Sequence, residues 1–259
     1  MMYDNFDGIE FKSVERERIV RKKKHYFRKF LLLVLICTGI YLFLASDYFT
    51  VEHISVQGNS YYTESEIISM ADARKGGNLF FDDNIKKMEK RLEKNPYFET
   101  VKVKRIPANK LKIIVTERKQ TAAILYGDRY VVIDDDGYVL RKAEIDPKVT
   151  VLTGLTIKKM NVGSVLETEE DDILKNTLKM ISTMKKGDIF FKKIDVSKVI
   201  IRAYIYDNLI VKGTPKQIMS AIESGDLQKV VSNLFENDIN RGTINMGGSD
   251  YMSFSPEIQ

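Results

Sequence analysis

Phe49-Thr-Val-Glu-His-Ile-Ser-Val56 alternates in side-chain character and runs into Gly58-Asn59, so it reads as a strand closed by a turn. Thr63-Glu-Ser-Glu66 has the S/T-x-x-E form of a capping box and opens a helix through Ile67, Ile68 and Met70. Gly76-Gly77 breaks that helix. A second one carries Ile85, Met88 and Leu92 at i, i+3, i+7 and stops at Asn95-Pro96. Val101-Lys-Val-Lys-Arg105 and Leu111-Lys-Ile-Ile-Val-Thr116 read as strands, joined through Ile106-Pro-Ala-Asn-Lys110 as a hairpin. The order β-α-α-β-β within about seventy residues predicts a compact α+β module, one small sheet with two helices on a single face.

Upstream, the seventeen residues Phe30 to Ser46 carry no charge. A helix of about 17–25 apolar residues crosses a bilayer. Tyr26, Phe27, Tyr48 and Phe49 suit the interfacial aromatic belts, and Arg28 and Lys29 can snorkel. Residues 1–47 hold nine basic side chains, among them Lys22, Lys23 and Lys24, against six acidic ones. By the positive-inside rule the N-terminus stays in the cytoplasm and the body lies outside. Leu44-Ala45-Ser46 is a poor exit for signal cleavage, and the stretch lacks the polar face of a core helix. The net charge of +5 leaves only +2 beyond residue 47, which is no footprint for nucleic acid. The sole cysteine, Cys37, falls inside the span, so it forms no internal disulfide.

Downstream of Thr121, Tyr130-Val-Val-Ile133 and Tyr138-Val-Leu140 flank Asp134-Asp-Asp-Gly137, a hairpin with Asp-Gly at its tip. Glu169 to Lys185 reads as a helix, with Leu174, Leu178 and Ile181 on one face. Strands are expected at Ile194–Val196, Val199–Tyr206 and Leu209–Lys212. Thr214 then caps a helix with Pro215 at its first position. Its apolar side continues past Gly225 through Leu227, Val230, Val231 and Leu234, and Thr243-Ile-Asn-Met246 is read as the last strand.

In this order the chain resembles the FtsQ/DivIB family of bacterial cell-division proteins, and its first module is similar to a POTRA domain. The residues that carry the likeness are Val56-Gln-Gly58-Asn59, Gly77-Asn-Leu-Phe80, Asn95-Pro96, Val101-Lys-Val103-Lys-Arg105, Ile106-Pro107-Ala-Asn109 and Glu117-Arg118. Gln120 departs from the proline that often follows the Glu-Arg pair. The stretch ending in Gly-Thr-Ile-Asn-Met and Phe254-Ser-Pro256 also resembles the family's C-terminal β domain. The expected fold is α+β: a basic cytoplasmic tail (1–29), a single transmembrane helix (30–47), a POTRA domain (48–118) and an extracytoplasmic β domain with flanking helices and a C-terminal tail (119–259).

Catalytic, cofactor and metal sites are not expected. His25 and His53, the only histidines, flank the span, so neither reaches a Ser-His-Asp triad or a zinc site deep in the body. Ser182-Thr-Met-Lys185 has S-x-x-K spacing, but its S-D-N and K-T-G companions are missing, which leaves a wall enzyme acting through Ser182 and Lys185 as a rival. Asp134-Asp-Asp136 is expected to alternate sides rather than converge on calcium. Gly76-Gly77-Asn78 is too sparse for a phosphate loop. A POTRA-type secretion or assembly factor, the other rival, needs a membrane barrel after the module.

A chain with one anchor and no chemistry positions partners. The edge of Thr243–Met246 is open to two readings of equal weight: it takes a partner's strand, with Tyr251 and Phe254 as aromatic anchors, or these residues pack on their own sheet. The resemblance implies that Arg241, Thr243, Ile244, Asn245, Met246, Tyr251 and Phe254 meet an FtsB/DivIC-like partner paired with an FtsL-like one. It further implies a non-enzymatic divisome scaffold at the septal membrane, in contact with septal wall synthases. A second docking edge is expected on the POTRA module, at the strand from Val101 or the one from Leu111.

Overall fold

The computed structural model describes residues 26–81, 84–106, 109–184, 186–247 and 251–257. The basic residues of 1–25 behind the orientation argument lie outside the described residues, as do Pro107, Ala108, Lys185 and Gly248. Two compact units follow one another, 1–46 and 47–259. In the first, α1 (Tyr26–Leu44) runs for nineteen residues with none buried. At 1.5 Å per residue it is about 28 Å long. Among the described residues it is the one helix long and apolar enough to cross a membrane.

The second unit opens with β1 (His53–Gln57), α2 (Glu64–Ala71), α3 (Ile85–Leu92), β2 (Phe98–Ile106) and β3 (Lys110–Glu117). The β-α-α-β-β order is as expected. The sheet runs β1-β3-β2, with β1 parallel and β2 antiparallel to the central β3. The capping box forms: Thr63 takes the N–H of Glu66, and the Glu66 carboxylate takes the N–H of Thr63 at 2.8 Å. That bonding holds the Glu66 carboxyl below its usual range, the backbone bond at Thr63 first. Ile67, Ala71, Met88 and Leu92 pack the helices on the Val101, Val103, Leu111, Ile113 and Val115 face of the sheet. Gly58 has φ +90, and a Cβ there would lie 2.0 Å from the Val115 carbonyl oxygen, so only glycine lets the chain leave β1 so close to β3. One expectation is corrected. The strand from Leu111 is central and offers no edge; β2 does, though Glu89 already accepts its Val103 N–H at 2.9 Å.

The rest of the unit comprises β4 (Ala122–Tyr126), β5 (Arg129–Ile133), β6 (Val139–Ala143), β7 (Thr150–Thr153), a ribbon of β8 (Ile157–Lys159) and β9 (Glu167–Thr168), and α4 (Asp171–Met184). Then come β10 (Lys193–Asp195), β11 (Ile201–Tyr204), β12 (Leu209–Gly213), α5 (Pro215–Glu223), α6 (Asp226–Glu236), β13 (Gly242–Met246) and β14 (Met252–Ser255). Nine strands join in the order β14-β13-β12-β11-β10-β7-β4-β5-β6. The three helices cover one face, where Leu174, Leu178, Ile181, Ile218, Ile222, Leu227 and Leu234 meet Ile124, Leu152, Ile194, Ala203, Val211 and Ile244. Strands β4, β7, β8, β9 and β14 had no counterpart in the sequence reading.

The opposite face divides in two. Over β4–β6 it is covered: Tyr97, with Tyr62 beside it, packs on Ala123, Val132, Leu140 and Ala143. Tyr97 stacks on Tyr61 at 4.5 Å, and its hydroxyl accepts from Arg141 Nε at 3.1 Å. Glu117 and Arg118 fasten this joint from adjacent positions. The Glu117 carboxylate gathers the N–H groups of Ser60, Tyr61 and Tyr62. Arg118 donates to the buried Asp134 at 2.7 Å and lies 4.2 Å from the Tyr138 ring centroid. From β10 to β14 the same face carries Lys193, Arg202, Tyr204, Ile210, Lys212, Thr243, Asn245, Ser253 and Ser255, polar for the most part and exposed or half-buried.

Candidate functional site

Thr243–Met246 is not the last strand. It lies between β12 and β14, and the edge belongs to Met252–Ser255, so the reading of β13 as the outermost strand is corrected. Gly247 donates its N–H to the Tyr251 carbonyl at 2.6 Å. Antiparallel pairing alternates, so Asn245–Ser253 and Thr243–Ser255 are the bonded pairs. The N–H and C=O groups of Met252 and Phe254 therefore point away from β13. No strand among the described residues pairs with that side. Pro256 follows the strand without an N–H to offer.

Gly242 makes the fit of β14 possible. With φ +133 and no side chain, it sits where a Cβ would meet the Phe254 ring and the Ser255 carbonyl at 2.6 Å. Met246, Met252 and Phe254 half-bury against the core on the helix side. Two depressions flank Met252. One, of about 200 Å³, lies among Lys216, Ala221, Asp226, Met246, Tyr251 and Met252. The other, of about 360 Å³, lies among Lys229, Val230, Asn233, Leu234, Met252 and Phe254. Gln217 Nε2 donates to the Gly247 carbonyl at 2.9 Å and ties α5 to the turn. Asp226 is held below the usual carboxylate range by its hydrogen bond from Lys229, then by Ser224. Together the two depressions make a trough of mixed character, polar at Lys216, Gln217, Ser220 and Asp226 and apolar at Val230, Leu234, Met252 and Phe254, bordered by the outward backbone groups of β14.

Of the residues singled out in the sequence, Tyr251 is exposed, Phe254 and Met246 line the trough, and Thr243 and Asn245 face the open side of the sheet. Arg241 is exposed beside a separate depression that holds Tyr206 and Phe235. Ile244 is fully buried in the core and forms part of the lining of the larger depression. Met252, Val230 and Leu234, which also line the depressions, had no place in the sequence reading of the site. The alternation of Met252-Ser-Phe-Ser255 is the signal that marks the strand.

Ser182 donates its hydroxyl to the Leu178 carbonyl at 3.1 Å, one turn back along α4. The carboxylates of Asp134, Asp135 and Asp136 converge to within 4.8 Å, against expectation. Asp134 nevertheless has its oxygens engaged by Arg118 and by the N–H groups of Asp136 and Tyr138. These contacts describe a self-satisfied hairpin tip.

A spanning-length helix followed by a β-α-α-β-β module and a larger sheet defines an anchored protein of the POTRA class. Residues 49–118 match the model of the POTRA domain, FtsQ-type. The cell division protein DivIB of Clostridium acetobutylicum is 29% identical over 191 residues, 72% of this chain and 76% of that protein. DivIB of Bacillus subtilis is 23% identical over 237 residues, 91% of this chain and 86% of its own. The solved major extracytoplasmic domain of DivIB from Geobacillus stearothermophilus overlaps 47% of this chain and 98% of that one at 14% identity. The TM-score of that overlap is 0.32. Residues 49–118 thus form an FtsQ-type POTRA domain, and most of the chain is similar to cell-division proteins named DivIB and FtsQ.

Proposed function

We propose that this chain is a bitopic, non-enzymatic cell-division scaffold. Its N-terminus lies in the cytoplasm and its two folded modules, 48–118 and 119–259, lie outside the membrane. The observation that carries the reading is the free side of β14 with its trough. An extended segment of a partner adds beside Met252 and Phe254 by backbone pairing, and its side chains enter the trough. From the family resemblance the partner is an FtsB/DivIC-like protein paired with an FtsL-like one, and the assembly regulates septal wall synthesis. Thr243, Asn245 and Arg241 then border the contact.

An N-terminal fluorescent fusion in dividing cells is expected to form a band at the septum, and depletion to give filaments. Uniform rim fluorescence with normal septation would sink the proposal. Orientation is read separately. Protease added to wall-stripped cells should digest residues 47–259 and spare an N-terminal tag.

A further inference from the structure

The POTRA sheet turns one face to its helices and leaves the other bare. The bare face holds His53, Ser55 and Gln57 of β1, Lys110, Lys112, Ile114 and Thr116 of β3, and Thr100, Lys102, Lys104 and Ile106 of β2. These paired positions include four lysines and no carboxylate, with Glu99 exposed at the β2 bulge at one end. Lys104 stands directly opposite Lys112. Like charges so placed destabilise a sheet. None of the four lysines makes an ion pair among the described residues. At the border of this face, Glu52 is engaged by Asn109 at 2.6 Å. Lysines on an edge strand also repel stray sheets, which accounts for Lys102 and Lys104. That use does not extend to Lys110 and Lys112, which lie on the central strand.

We infer that this face docks on the anionic lipid surface of the membrane that anchors the chain. The inference rests on the reading of α1 as a span. Only the eight residues 45–52 separate Leu44 from His53, a reach of at most about 28 Å. Clustered lysines are drawn to anionic headgroups within a Debye length, about 8–10 Å at moderate salt. The short tether favours lipid phosphate over a soluble phosphate polymer.

The chain has no tryptophan, so Ile114→Trp on the bare face supplies a lone reporter. The full chain carrying it is placed in nanodiscs of brominated phosphatidylcholine, with or without about a third brominated phosphatidylglycerol. The expected result is emission quenched at least twofold only in the anionic discs and restored near 1 M salt. Lys104→Glu with Lys112→Glu should restore it as well, with the thermal midpoint unchanged. Lys112→Gln alone should lower the docked fraction about fivefold. Equal emission in both discs overturns the inference, as does a signal that responds to poly(glycerol phosphate) and not to lipid. Failure to enter discs at all would instead refute the span.

Discussion

At its β4–β6 end the nine-stranded sheet lies under Tyr62 and Tyr97, whereas at its β12–β14 end the same face is open and the last strand has one neighbour. The covered end joins two modules through large buried groups with assigned partners. The open end keeps its core on the helix side and leaves backbone and half-buried methionine at the surface. Damage at the first should register as lost stability, and damage at the second as lost association. The two ends can therefore be told apart by which property a substitution changes.

The sharpest test is Arg118→Ala, which leaves the carboxylate of Asp134, 1% exposed, without its cation. Breaking one side of a buried pair costs about 3–5 kcal/mol. Denaturation of the full chain in detergent should show that loss, and a change below about 1 kcal/mol would mean that the joint contributes little. At the other end, Phe254→Ala should cost about 2 kcal/mol, less than a fully buried aromatic. Phe254→Pro also removes the outward N–H. Partner capture should fall at least tenfold further with proline than with alanine. Equal capture by both variants would argue against strand addition.

Tyr97→Phe is a milder probe of the covered end, expected to cost about 1 kcal/mol with the loss of the Arg141 bond. Burial, with Tyr61 adding to it, pushes the Tyr97 hydroxyl above its ordinary 10.0. The folded state thus holds this proton where the unfolded chain releases it. The associated stability is intact below pH about 10 and declines as pH climbs beyond it. Unfolding titrations above pH 10 should show a steeper decline in the native chain than in Tyr97→Phe. The smallest effect belongs to Ser182→Ala, whose hydroxyl bonds only within α4. Septation and stability should both be unchanged, and a division defect would revive the enzymatic rival.

Much of this contrast was legible in local spacing. Thr63 and Glu66, Thr214 and Pro215, and the Leu174-Leu178-Ile181 stripe announce their helices because caps and periodicity act over a few residues. The Asp134–Arg118 pair was not legible, since its members are sixteen residues apart and only the folded joint buries them together. The trough escaped for the same reason, as Val230 and Met252 meet across a chain reversal. Short strands such as β7, with four residues, carry too little alternation to stand out. β14 did alternate, but it follows Gly-Gly-Ser-Asp, a run that reads as the start of a tail.

The parallel pairing of β1 with β3 has a consequence for biogenesis. Residues that meet there, such as Glu52 and Asn109, are 57 positions apart in the chain. Strand β1 is made early yet stays unzipped until β3 has been synthesised, because β3 is its one neighbour in the sheet. Loop closure over such a distance slows folding. A translational pause before residue 110 would hold the nascent module open, a window in which chaperones or proteases find it unprotected.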